Sequence, residues 1–228
     1  MGGRSAGGRP VIVRATVPAE EFALHHVLSD HPDATFEVER IVETGDDALM
    51  PLLWVRDVDR ASLEAAFEDD ESVDDVSLLA GFEQEFLYRM VWVGRVELIL
   101  HMLTNSRATI MDAYGTGTRW QLRALYPDRE RFSSTHDYCH DHGLEFQVDS
   151  IRELDGDPAG RYGLTDAQFT ALVEATRRGH YEVPREISLE ELADELGVSH
   201  QALSERLRRA TGALVEDTLL IGPGVEED

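Results

Sequence analysis

The chain has 228 residues, with 45 acidic side chains against 21 basic ones and a formal net charge of −24. That length suits one large domain or two small ones, and 42% hydrophobic residues exclude a wholly disordered chain. No apolar run approaches the ~18 residues of a membrane span. The start, MGGRSAGGRP, has no apolar segment of the kind a signal peptide needs, and the single Cys139 excludes an internal disulfide framework. The expectation is a soluble, cytoplasmic chain with no membrane partner.

All 21 basic residues are arginine, and lysine is absent. Lysine is ordinarily among the commonest residues. A GC-rich genome explains arginine in place of lysine but not the excess of acids as well. Carboxylates hold water and cations densely, and in molar salt the screening length falls to about 3 Å, which mutes self-repulsion. The bias points to a strongly saline cytoplasm, as in halophilic archaea.

Residues 1–9 are rich in Gly and Arg and read as a disordered tail. Val11–Val17 alternates as a strand, and Pro18 with the following acids opens a helix expected to run through about Leu28. Thr35–Val42 and Leu49–Val55 are strands joined by the Gly45-Asp46-Asp47 turn. Ser62–Phe67 lies in a helix and Val73–Leu79 in a strand. The order then repeats: strand Phe86–Val93, helix Val96–Leu103, strands Ala108–Tyr114 and Arg119–Leu125 about a Gly115-Thr116-Gly117 turn. A helix from Asp128 to about His142, stopped by Gly143, and a strand Glu145–Ile151 complete it. Two βαββαβ patterns, about 10–80 and 84–152, predict an α+β module over 10–155 made of tandem ferredoxin-like units. Residues 156–163 read as a linker, 164–221 as an all-helical domain and 222–228 as an acidic tail.

The helical segment contains SLEELADELGVSHQALSERLRRA at 188–210. Ser188 and Glu191 form a capping box, and Leu189, Leu192, Ala193 and Leu196 share one face of a short helix. Gly197 suits a left-handed turn, Val198 plugs the corner, and Ser199 caps a second helix. With Leu203 and Leu207 turned inward, Ser199, His200, Gln201, Ser204, Glu205 and Arg208 point outward. This is the pattern of a helix-turn-helix whose second helix enters a major groove. Gln201 and Arg208 are candidates to read adenine and guanine, and Arg206 and Arg209 to reach phosphates. Residues 161–220 carry 7 Arg and 11 acids, whereas 1–160 carry 14 Arg and 31 acids. The helical part is thus the less acidic, and Ser199–Ala210 is locally +2. Double-stranded DNA is the expected partner. In molar salt counterion release contributes little, so base and shape contacts must supply most of the affinity.

Upstream, Thr165 and Gln168 form another capping box, and Phe169, Leu172 and Val173 face inward on a helix ending at Gly179. Through LTDAQ, GHYEVPRE and LEELADELGVSHQALSERLRRA, residues 164–220 resemble the DNA-binding domain of haloarchaeal bacterio-opsin-activator-type regulators. The likeness extends more loosely through Tyr138-Cys139 and His142-Gly143-Leu144-Glu145-Phe146. The resemblance implies a transcription regulator with an N-terminal module that senses a signal or mediates assembly. It reaches none of the PAS and GAF sensor domains of the longest relatives. A homodimer and an unidentified small-molecule effector accompany this reading.

His136, Cys139 and His140 fall on one helical face, where zinc could bind, with His142 near. No second Cys/His pair stands at metal-site spacing, and Cys139 serves equally as a small core residue. No metal, other cofactor or enzymatic activity is expected, since neither phosphate-loop nor hydrolase motifs occur. The alternatives are a small-molecule-binding or metabolic α+β protein whose C-terminal hairpin only makes protein contacts, and an enzyme built on the tandem α+β domain.

Overall fold

The computed structural model describes residues 8–45, 48–94, 97–154 and 162–218. Outside them lie most of the expected N-terminal tail and linker, the acidic tail, part of the Gly45-Asp46-Asp47 turn, Val96, and the last three residues of the expected helical domain. The described residues divide into two compact units, one ending at Glu153 and the other beginning at Leu154.

The first unit is α+β. Its strands are β1 (Val11–Pro18), β2 (Thr35–Gly45), β3 (Ala48–Arg56), β4 (Val73–Gly81), β5 (Glu85–Trp92), β6 (Thr109–Thr116), β7 (Arg119–Tyr126) and β8 (Gln147–Glu153). Its helices are α1 (His25–Asp30), α2 (Arg60–Asp69), α3 (Glu97–Leu100) and α4 (Arg129–His142). All the strands join one antiparallel sheet in the order β4-β5-β3-β2-β6-β7-β1-β8.

The order of elements matches the repeated pattern, but two self-contained units do not form. In a closed βαββαβ unit the first strand lies between the third and fourth. Here β5 lies between β3 and β4, and β1 lies between β7 and β8. The cause is local. Only three residues, Phe82–Gln84, separate β4 from β5, and Phe82 N–H donates to the Glu85 carbonyl at 2.8 Å. So short a turn forces β5 to pair beside β4, which fills the slot that β1 would otherwise take. β1 occupies the equivalent slot in the other half.

Alternation along the strands places Val11, Val13, Ala15, Val17, Leu49, Leu53, Val55, Tyr88, Met90 and Trp92 in one core with residues of α1, α2 and α4. Trp120 anchors its centre against Phe22 (5.1 Å between ring centroids) and Trp92 (5.7 Å), and its indole N–H donates to the Ala23 carbonyl. A Cβ on Gly115, which pairs with Trp120, would sit 3.0 Å from the indole ring, tighter than an ordinary contact, so the buried ring would have to give by a few tenths of an ångström.

Two expected helices change form. The segment after Pro18 is not one helix: Ala19–Glu21 makes a single turn, Leu24 adopts φ 59°, and α1 starts at His25. Phe22 and Leu24 are both fully buried, which draws the backbone out of a continuous helix. Asp70 then caps α1 from across the fold: its Oδ2 accepts from the backbone of His26 (3.0 Å) and Val27 (3.1 Å). The helix expected over Val96–Leu103 is α3 followed by a wider π turn, His101–Asn105. Buried Ser106 follows that turn and accepts from the Thr135 hydroxyl at 2.8 Å. The last strand starts two residues later than expected, because the Glu145 N–H is taken by the Glu21 carboxylate.

The second unit contains three helices, α5 (Asp166–Arg177), α6 (Leu189–Glu195) and α7 (His200–Thr218). Ala171, Ala175, Ile187, Leu192, Ala193, Leu203 and Leu207 form its core, and Leu164 packs with Ala210 beside Phe169 and Leu214.

Candidate nucleic-acid interface

Both capping boxes of the helical unit form as the sequence predicts. Thr165 Oγ1 accepts from Gln168 N–H while the Gln168 side chain accepts from Thr165 N–H; Ser188 and Glu191 do the same. The Ser188 donors hold the Glu191 carboxyl below its ordinary range. After α6, Gly197 takes φ +65° and Val198 N–H donates to the Ala193 carbonyl at 3.0 Å. Val198 packs against the core, and Ala193 is buried where a larger side chain would hold the helices apart. Ser199 Oγ accepts from Ala202 N–H at 3.1 Å and starts α7.

Other contacts hold this hairpin on α5. The Arg178 guanidinium grips the Glu195 carboxylate with two hydrogen bonds, one of them at 2.9 Å from Nε. The buried His180 ring lies 3.3 Å from the Ile187 carbonyl through Nδ1. Gly179, at φ +69°, lets the chain leave α5 towards His180.

On α7, Leu203, Leu207 and Ala210 are buried. Ser199, His200, Gln201, Ser204, Glu205, Arg208 and Arg209 are exposed, and Arg206 is half-buried. The arrangement presents amide, hydroxyl, imidazole and guanidinium groups along one rigid helix, which are the groups that bond base edges and phosphates. Arg209 donates to Glu205 one turn back. Among the described residues, Arg206 and Arg208 have no ion-pair partner.

The sequence treats Thr165 and Gln168 only as a helix cap, and this misses a second role. They wall a groove of about 310 Å³ with Ala202, Glu205, Arg206 and Arg209. The spacing of 202, 205/206 and 209 along one side of α7 is the signal for it; which helix faces that side is not local information.

The zinc candidates diverge. Cys139 points into the core and burial pushes its thiol up to about 12, whereas His136 and His140 are exposed. Among the described residues no three His, Cys, Asp or Glu side chains gather as a metal site. Tyr138 is instead stacked between His101 and His142, at 4.0 Å from each ring.

A capped helix, a left-handed glycine turn and an exposed second helix define a DNA-binding protein of the helix-turn-helix class. A family model described as "HTH DNA binding domain" matches residues 164–216, and one described as "GAF and HTH_10 associated domain" matches residues 11–164. The second covers more than half of the chain, and the chain belongs to the bacterio-opsin activator-type family of helix-turn-helix regulators. Regulators of this family are typically non-enzymatic. No curated protein matches the chain.

Proposed function

We propose that this protein is a sequence-specific transcription regulator of a halophilic archaeon. It acts in the cytoplasm as a homodimer, with an N-terminal module that senses a signal or holds the dimer together. One observation carries the reading: α7 follows the tight Gly197 turn and exposes His200, Gln201, Ser204 and Arg208 on one face while Leu203 and Leu207 anchor the other. Gln201 and Arg208 read bases, and Arg206 contacts phosphate. The absence of lysine together with the net charge of −24 supports the saline setting. Among the described residues no helix is long and apolar enough to cross a membrane.

The order of the sheet supports a finer description of the first unit, in which two βαββαβ halves trade their first strands. The same sheet offers a dimer surface. Residues alternating with the core positions of β3 and β5 include the half-buried Met50, Leu52, Trp54, Leu87 and Val91, with the exposed Arg89 opposite Leu52 and the Arg56–Glu85 ion pair at one end. Phe82, an exposed residue, packs beside Trp54 at 6.2 Å. The occupant of this surface is a second copy of the chain, because two helix-turn-helix units about 34 Å apart read two half-sites.

The Gln201→Ala variant of the full chain tests the base-reading role. It loses ~1–3 kcal/mol of discrimination between a selected duplex and a single-base variant, measured by competition binding in molar KCl. An equal fall for both duplexes contradicts the role.

A further inference from the structure

Within residues 200–210, α7 carries one acid, Glu205, among the half-buried Arg206 and the exposed Arg208 and Arg209; the exposed Glu216 lies three turns further on. A carboxylate turned towards DNA is repelled by phosphates, so a place on this face calls for compensating donors. The structure supplies one within the helix. Arg209 Nη2 donates to Glu205 Oε1 across one turn, and the two side chains remain 67% and 48% exposed. Glu205 Oε2 accepts no hydrogen bond from any described residue, so it is open to a donor from outside. Arg209 offsets part of that charge and engages one carboxylate oxygen; a donor on DNA would engage the other.

Few groups on DNA qualify. In the major groove guanine offers the acceptors O6 and N7, and thymine the acceptor O4; only cytosine N4 and adenine N6 donate. Beside N6, adenine carries the N7 acceptor, which repels a carboxylate and favours an amide. Cytosine is therefore the base whose exposed edge suits a carboxylate.

We propose that Glu205 is a specificity-determining residue that accepts from a cytosine amino group, and that Arg209 is a positioning residue that holds it there. The proposal rests on the DNA-binding reading above, and it takes Arg209 away from the phosphate role expected from its charge. Arg206, half-buried in the groove beside Thr165 and Gln168 and without an ion pair among the described residues, keeps that role.

The test is selection from a randomised duplex pool in molar KCl, using the full chain as wild type, Glu205→Gln, Glu205→Ala and Arg209→Ala. Both substituted side chains are exposed, and circular dichroism checks that each of the three variants folds. Wild type enriches cytosine about five- to tenfold over other bases at one position. Glu205→Gln replaces that preference with adenine, because an amide bonds N6 and N7 together. Glu205→Ala abolishes the preference at that position only, and Arg209→Ala weakens it without moving it to another base. Unchanged base preferences in Glu205→Gln and Glu205→Ala, with affinity altered uniformly, overturn the proposal and leave Glu205 as a repulsive charge. Altered preferences in both with none in Arg209→Ala overturn the positioning role. Wild-type protein that enriches no sequence overturns the DNA-binding reading itself, and this proposal with it.

Discussion

Asp70 is 5% exposed, yet its carboxylate accepts from the backbone of His26, Val27 and Ser72 and from the Ser72 hydroxyl, the last at 2.6 Å. Ser72 Oγ in turn accepts from Leu24 N–H. A buried carboxylate with this many donors is fully satisfied, and its removal strands the first N–H groups of α1 without partners. Asp70→Ala is expected to cost about 2–3 kcal/mol in denaturant unfolding; an unchanged midpoint and slope contradict this account of α1. The partnership spans more than 40 residues, so no local pattern announces it. The outward-facing residues of α7 contrast with this. Their exposure follows from 3.6-residue spacing, and Ser199, Gly197 and Val198 mark the turn by their own conformational preferences. Gln201 and Arg208 were therefore legible as outward-facing, whereas the groove at Thr165 and Gln168 depends on how α5 packs.

Strand identities in the first unit, and helices α2 and α4, were legible from alternation, caps and turn residues such as Gly117, but the forms of α1 and α3 and the partners of β1 and β5 were not. Hydrophobic period sets which face of a strand is buried and leaves its neighbour open. The three-residue connection between β4 and β5 held the missing information, since it compels a hairpin. Among the elements, the half-buried outer face of β3 and β5 bears the dimer claim. An added carboxylate opposite Trp54, at the apolar part of this face, opposes burial against a second copy. Leu87→Glu is expected to convert a wild-type dimer to a monomer in molar KCl by multi-angle light scattering, without loss of secondary structure, because Leu87 lies opposite the core positions Tyr88 and Phe86. A wild-type monomer, or a Leu87→Glu dimer, contradicts the assignment of this face.

Across the molecule, charge is spread unevenly: net −17 over residues 1–160 against −4 over 161–220. Self-repulsion on that scale opposes a compact state until salt screens it. Circular dichroism of the full chain is expected to show loss of structure in dilute buffer and recovery in molar KCl; a fully folded chain at low salt contradicts the saline reading. The same field explains how DNA binding fits an acidic protein. On the proposed reading, phosphate neutralisation contributes little in concentrated salt, and discrimination rests on the base contacts proposed for α7. The most direct measurement is equilibrium binding of the full chain to a selected duplex and to its scrambled counterpart in molar KCl. The account predicts at least ~1,000-fold tighter binding to the selected duplex. Equal affinity for both, or no binding to either, contradicts it.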